Sequence, residues 1–191
     1  SYKTVTEEAV TVKFKVKPGQ KIGNWTTDDN TYLLAWTTTP WTLPGNTALA
    51  VNEKVDYCLV KHGKENYILA KDKAVSRRQT FLQDVAASSG SEFKGKNLAG
   101  LEYEPLYEIL AIKNSGSPRG EAGKKAHYVV SADFVNTEDG TGIVHIAPMH
   151  GEDDYNIGVK YDLPVAPLLD ASGYFNKEAP EFIQGFYLKK G

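Results

Sequence analysis

The chain has 191 residues, of which 41% are hydrophobic and 24% charged, and its formal net charge is −2. This length and apolar content predict one domain with a real core. The charge argues against a dedicated nucleic-acid binder, because such proteins use a basic excess to contact phosphates. Any nucleic-acid contact is therefore expected to be local, or held in place by another part of a larger protein.

No stretch of the sequence approaches the roughly 18 apolar residues that a membrane-spanning helix needs, so we expect no membrane contact. We also expect no secretory signal, since no succession of basic, apolar and small residues opens the chain. The one cysteine, Cys58, cannot form an internal disulfide. Together these features predict a reducing, cytoplasmic setting.

The first predicted element is a strand at 10–17, where apolar and polar residues alternate with period two. After a polar, turn-rich loop, the apolar run at 32–36 predicts a second, well-buried strand. The runs at 57–60 and 66–70 are predicted to pair as a hairpin. Further strands are predicted at 49–51, 126–130 and 142–147.

Two helices are predicted. The longer one runs from about Asp72, a candidate N-cap, to Ser88, with its apolar residues near one face. The shorter one runs from Glu152 to Tyr161.

Many short strands with only two helices predict a mainly β fold with some α, in which short α-helices decorate a β-barrel core. We expect a single domain spanning 1–191. Within it, the Gly- and Lys-rich stretch at 115–125 is predicted to be a flexible insertion.

The first segment with chemical potential is 35–47, which combines threonines with two prolines and two tryptophans. Pro40 and Pro44 fix φ and lack a backbone N–H, so the peptide has few conformations. The threonine hydroxyls and the amide of Asn46 can both donate and accept hydrogen bonds, as a substrate-binding ledge requires. A structural alternative stays open, because threonine runs occur naturally in β-rich proteins and the tryptophans could anchor a core.

The second segment is 140–156. A strand there places Ile143, His145 and Ala147 on one face, with the intervening residues facing the barrel core. Three acids then fall in the first turn of the predicted short helix, where the helix dipole favours their ionised forms. An ionised carboxylate at the rim of a pocket is suited to hold a substrate ammonium, although acids at a helix start are also ordinary capping residues.

Taken together, the blocks at 36–46 and 140–155 resemble the inserted editing domain of the isoleucyl-tRNA synthetases, which are class Ia aminoacyl-tRNA synthetases. Members of that family have Trp-Thr-Thr-Thr-Pro-Trp-Thr-Leu-Pro-x-Asn, and later Gly-Thr-Gly-Ile-Val-His-x-Ala-Pro followed by Gly-Glu-Asp-Asp-Tyr. The resemblance extends over 2–160, and Thr39 stands where the related valyl and leucyl enzymes have Arg. The ATP-site motifs His-Ile-Gly-His and Lys-Met-Ser-Lys-Ser are not in the sequence, so no amino-acid activation is expected.

The resemblance implies hydrolysis of valine wrongly esterified to isoleucine tRNA, and leaves open whether valyl-adenylate is also a substrate. The implied partners are the acceptor end of that tRNA and the rest of a parent synthetase, with the chain itself a monomer. No Ser-His-Asp or Cys-His grouping is evident, so we expect no covalent intermediate and no cofactor.

The resemblance also implies roles for single residues. Asp154 would hold the substrate ammonium, with Asp153 as the alternative. His145 would close the side-chain pocket against the extra methyl group of isoleucine. The remaining implied site residues are Thr37, Thr38 and Thr39 at the ester and terminal adenosine, Thr42 and Asn46 beside the attacking water, Trp41 under the pocket, and Ala147 on the same strand face as the histidine.

Two other interpretations stay open at this point. His145, His150 and one of the two aspartates could ligate a metal, which would make the chain a metal-dependent hydrolase. The five-residue spacing of the histidines across a proline is not the helical spacing of zinc proteases. Alternatively, the chain could be a non-catalytic module that binds the tRNA acceptor end.

Overall fold

The computed structural model describes residues 9–77, 91–114, 124–138 and 140–188. In these ranges short strands dominate and the helices are few and short, which confirms the predicted mainly β class. The first five strands are β1 (Val10–Lys15), β2 (Lys21–Ile22), β3 (Trp25–Thr26), β4 (Thr31–Thr37) and β5 (Ala48–Val51). The others are β6 (Asp56–His62), β7 (Glu65–Ala70), β8 (Glu92–Lys94), β9 (Tyr128–Ser131) and β10 (Val144–Ile146). The helices are α1 (Lys71–Arg77), α2 (Leu110–Asn114) and α3 (Glu152–Tyr161), with 3-10 turns at Pro40–Gly45, Gly95–Asn97 and Glu181–Ile183.

The largest sheet has five strands in the order β1-β4-β7-β6-β8. Strand β4 pairs antiparallel with β1 and parallel with β7. Strands β6 and β7 form the predicted hairpin, with Val60 opposite Tyr67. Gly63 has a φ of +59° in its turn, a backbone conformation that glycine adopts without strain.

A smaller sheet has three strands in the order β10-β5-β9, and β2 pairs only with β3. In the smaller sheet His145 on β10 lies opposite Leu49 on β5. Strand β5 also pairs in parallel with β9. The strands of the described residues thus form separate open sheets, so closure into a barrel stays a prediction.

Two clusters of the core lie on the two faces of the smaller sheet. The main cluster lies between the two larger sheets and includes Phe14, Leu49, Tyr103 and Ile143. A second cluster lies beneath α3, and its buried members are Ala48, Ala50, Val130, Ala132, Val135, Ile146, Ile157 and Leu163.

This division corrects one expectation about β10. Val144 and Ile146 were expected to face the barrel core, yet both pack in the cluster beneath α3. Ile143, expected on the other face, is the residue that enters the main cluster. The reason is that the smaller sheet is covered on both faces, so alternation along β10 separates two apolar environments rather than core from solvent.

Helix α3 has the predicted bounds and ends at Asp162, whose φ of +54° is a left-handed C-terminal conformation. Helix α1 begins at Lys71, which places Asp72 in the first turn instead of at the N-cap. The rest of the longer predicted helix, 78–88, lies outside the described residues, as do 115–123 of the predicted insertion. No helix among the described residues is long and apolar enough to cross a membrane.

Candidate active site

A cleft of about 560 Å³ opens where the end of β4, the 3-10 turn Pro40–Gly45, strand β10 and the start of α3 meet. Both motif segments contribute to its wall. The lining residues are Trp36, Thr37, Thr39, Trp41, Thr42, Val144, His145, His150, Gly151, Glu152, Asp153, Asp154 and Leu188. The cleft thus brings residues of both segments together.

The threonines of the cleft are held in place by hydrogen bonds to one another. The backbone N–H of Thr39 donates to Thr37 Oγ1 at 3.0 Å, and the two hydroxyl oxygens lie 3.2 Å apart. The hydroxyl of Thr42 donates to the carbonyl of Thr39 at 2.8 Å. Thr39 itself is exposed, whereas Thr37 and Thr42 are buried, so Thr39 presents the most accessible hydroxyl.

His145 joins the two segments across the cleft. Its Nε2 lies 3.0 Å from Thr42 Oγ1, and the side chain is buried. The Thr42 hydroxyl also donates to the Thr39 carbonyl, so both contacts form together in the tautomer whose Nε2–H donates to Thr42 Oγ1. Burial, assisted by nearby His150, lowers the pKa of His145 to about 4, so the ring is neutral at physiological pH.

Asp154 and Asp153 differ in environment although they are adjacent. Asp154 is half-buried, and its Oδ2 accepts the N–H of Ala147 at 2.9 Å, whereas Asp153 is exposed. Burial raises the pKa of Asp154 to about 6, the Ala147 N–H opposes the rise, and the charge of Asp153 adds to it. Burial is thus the largest influence on the Asp154 carboxyl and opposes ionisation, although a pKa of about 6 still leaves the group mostly ionised at pH 7.

Three predicted site residues do not line the cleft: Thr38, Asn46 and Ala147. Ala147 contacts the site only through its backbone, because its N–H donates to the Asp154 carboxylate. Asn46 lies behind the cleft and is buried, with its amide engaged by protein groups.

The chain is 44% identical over 189 residues, 99% of its length, to the isoleucine–tRNA ligases of Clostridium novyi and Clostridium acetobutylicum. It is 40% identical over 205 aligned positions, 98% of the chain, to that of Treponema denticola. The chain belongs to the isoleucine–tRNA ligase family. It spans only 16–18% of the length of these relatives, so it corresponds to one segment of a much longer enzyme.

Solved structures show which fold that segment has. The fold matches the crystal structure of GlLeuRS-CP1 with a TM-score of 0.58, at 20% identity, over 78% of this chain and 58% of the other. It matches the P. knowlesi cytosolic leucyl-tRNA synthetase editing domain with a TM-score of 0.52, over 78% of this chain and 60% of the other. No protein-family model matches the chain. The chain therefore has the fold of the editing, or connective polypeptide, domain of aminoacyl-tRNA synthetases.

The cleft also contains residues that sequence reasoning did not assign to a substrate site. His150 is half-buried, burial lowers its pKa, and its ring packs against Gly45. Its position within the second segment was a signal, but the sequence suggested it only as a metal ligand. The sequence did not indicate that Leu188 belongs to the site, because the C-terminal segment reaches the cleft through tertiary packing alone.

The metal interpretation finds no support in the geometry. Within the described ranges, no three His, Cys, Asp or Glu side chains are grouped as a metal site would require.

Proposed function

We propose that the chain hydrolyses valyl-tRNA(Ile), as the proofreading domain of an isoleucine–tRNA ligase. The observation that carries this proposal is the Thr42–His145 hydrogen bond, because it joins the two family segments into one wall of a cleft. The cleft also contains the carboxylates of Glu152, Asp153 and Asp154, so it offers neutral donors and anionic side chains to a cationic aminoacyl ester. Valyl-adenylate, which has the same aminoacyl group, is included as a possible second substrate.

Asp154 binds the α-ammonium of the valyl group in this proposal. Its Oδ2 is held by the Ala147 N–H, which orients the carboxylate. A substrate ammonium beside it would favour the charged form and thus lower the raised pKa of the Asp154 carboxyl. Asp153, exposed and without that backbone bond, is the weaker candidate.

His145 sets the size of the side-chain pocket in this proposal. For isoleucyl-tRNA synthetases themselves, it is established that one methylene in an apolar pocket discriminates by only about 1–3 kcal/mol, so a second sieve is needed. A buried, neutral ring fixed by Thr42 has little freedom to move aside. It can therefore admit valine and exclude the larger isoleucine.

The chemical step is attack of one water on the ester carbonyl. The tetrahedral intermediate then expels the ribose oxygen of the tRNA, which takes up a proton, and free valine and tRNA(Ile) result. In this proposal the hydroxyl of the exposed residue Thr39 donates to the developing oxyanion, and hydrogen bonds with Thr37 and Thr42 hold Thr39 in position. Because the aminoacyl ester is already activated, positioning the water is sufficient and no covalent enzyme intermediate is formed.

The partners in this proposal are the acceptor end of tRNA(Ile) and the remainder of a parent synthetase. The net charge of −2 fits an arrangement in which other parts of the enzyme supply most phosphate contacts. The chain is proposed to act as a monomer.

The test is hydrolysis by the purified chain of valyl-tRNA(Ile) and isoleucyl-tRNA(Ile), with and without a chelator, and with tRNA binding measured in parallel. We expect loss of the valyl ester only, insensitive to the chelator. If tRNA binds and the valyl ester decays no faster than in buffer, the chain is a non-catalytic binding module. Hydrolysis that the chelator abolishes would replace this mechanism with a metal-dependent one.

A further inference from the structure

Asn46 connects the two motif segments from behind the cleft. It follows the 3-10 turn that contains Trp41 and Thr42, and its backbone N–H donates to Leu43. Its side-chain Nδ2 donates to the carbonyl of Ala48 at 2.8 Å and, at 3.5 Å, to that of Ile146. The amide thus ties the end of the turn to the residue after His145.

The remaining polar atom of that amide is engaged by a residue from outside both motifs. The hydroxyl of Tyr103 donates to Asn46 Oδ1 at 2.7 Å. Tyr103 is fully buried, and its ring makes edge contacts with Phe14 and His127 at centroid distances of 5.4 and 5.8 Å. Its backbone N–H donates to the His127 carbonyl at 3.0 Å. The hydroxyl is therefore held at one place in the core.

We infer that Tyr103 is a positioning residue for the candidate active site. Its hydroxyl fixes the orientation of the Asn46 amide, and the amide holds the turn with Thr42 in register with the strand of His145. The catalytic part of this inference rests on the proposed function. The structural part, that Tyr103 determines the Thr42–His145 contact, does not.

The physical reason is the chemical asymmetry of an amide. Nδ2 can only donate and Oδ1 can only accept, and here Nδ2 donates to two carbonyls. The Tyr103 hydroxyl is the donor that holds Oδ1 on the opposite side. Without that donor a buried acceptor is left unpaired, which is unfavourable and allows the amide to rotate. Rotation would withdraw Nδ2 from the carbonyls of Ala48 and Ile146 together, leaving the Ile146 carbonyl held by the Thr47 N–H alone.

The experiment compares Tyr103→Phe with Tyr57→Phe in the whole chain. Tyr57 is a matched control, because it is also fully buried in the main cluster and its hydroxyl donates to Gly142 at 2.6 Å. We expect Tyr103→Phe to lower kcat for valyl-tRNA(Ile) hydrolysis about 10-fold with KM changed less than about twofold, since small displacements of catalytic groups are costly. Tyr57→Phe is expected to lower Tm without this loss of kcat.

A double variant tests whether Tyr103 acts through Asn46. Asn46→Ala alone should reduce kcat at least as much as Tyr103→Phe, and the two changes combined should cost no more than Asn46→Ala alone. Independent, multiplying losses would overturn the inference. So would a kcat for Tyr103→Phe equal to that of Tyr57→Phe.

A readout that does not need activity separates this inference from the proposed function. The ¹⁵N NMR shifts of the His145 ring report the hydrogen bond from Nε2 to Thr42. We expect them to change in Tyr103→Phe and in Asn46→Ala, and to stay in place in Tyr57→Phe. If the wild-type chain does not hydrolyse valyl-tRNA, the proposed function fails while these shifts still decide the role of Tyr103. Unchanged His145 shifts in both variants would overturn it.

Discussion

Thr42 Oγ1 and His145 Nε2 lie 3.0 Å apart, although 103 positions separate the two residues in the chain. Thr42 lies in the 3-10 turn Pro40–Gly45 and His145 lies on β10, so their contact requires the turn and the strand to be in register. With the Thr42 hydroxyl donating to Thr39, the bond forms in the tautomer that has its hydrogen on Nε2. It is therefore the contact on which the geometry of the cleft depends most directly.

Replacing Thr42 with valine, which has the same shape but no hydroxyl, should destabilise the chain. The buried Nε2–H of His145 loses its acceptor, and a buried unpaired donor costs about 1–3 kcal/mol. We expect the free energy of unfolding to fall by that amount in urea titrations, together with the rate of valyl-tRNA hydrolysis. Thr42→Ser retains the hydroxyl and should restore much of both. A Thr42→Val chain as stable as the wild type would show that the bond contributes nothing.

Replacing His145 with alanine should let the site accept isoleucine. The ring that occupies the wall of the cleft is removed, so the second sieve opens. The rate of isoleucyl-tRNA(Ile) hydrolysis is expected to rise roughly 10- to 100-fold, the range that one methylene provides. The ratio of valyl to isoleucyl hydrolysis under single-turnover conditions measures this. If that ratio does not change, His145 is not the residue that excludes isoleucine.

Asp154→Asn and Asp153→Asn form a matched pair that identifies the ammonium ligand. Loss of a charge-assisted hydrogen bond costs about 1.5–3 kcal/mol, so Asp154→Asn should lower kcat/KM for valyl-tRNA by roughly 10- to 100-fold. Asp153→Asn alters an exposed side chain and should have an effect smaller than about threefold. The opposite order of effects would transfer the anchor role to Asp153.

Stability should depend on pH through His145. Its pKa is about 4 in the folded chain, below the ordinary histidine value of 6.5, so between these values the unfolded chain binds a proton that the folded chain does not. The contribution of His145 to the free energy of unfolding is therefore fully present above pH 6.5. It is lost as the pH falls toward 4, and the loss is on the order of 3 kcal/mol at most. His145→Gln, which keeps a donor for Thr42, should lose less stability over the same window. Urea unfolding of both proteins from pH 7 to pH 4 measures the difference, and parallel curves would contradict the prediction.

Much of the fold could be predicted from local patterns. The bounds of α3 followed from an acidic first turn and from the sequence that ends the helix, and the β6–β7 hairpin followed from two apolar runs around a glycine turn. The parallel pairing of β4 with β7 could not be predicted, because it depends on contacts between distant segments. Closure of the sheets into a barrel, which stays a prediction, would depend on contacts of the same long-range kind.

The sequence predicted only part of the site, again because the site depends on contacts between distant segments. The sequence identified the two segments that meet, but it gave no information on depth, so Asn46 was assigned to the cleft although it lies behind it. Depth also decides the pKa of Asp154, where burial outweighs the helix start. Tyr103 belongs to no motif, and only the folded chain brings its hydroxyl to Asn46.

The contact between Gly45 and His150 has a consequence for how the cleft could be altered. A Cβ at position 45 would lie 3.2 Å from two atoms of the His150 ring, which is closer than side chains normally approach. Because Gly45 does not line the cleft while His150 does, a single added methyl group there would displace the ring into or out of the space available to the substrate. Substrate range could thus be adjusted by a residue that never touches the substrate.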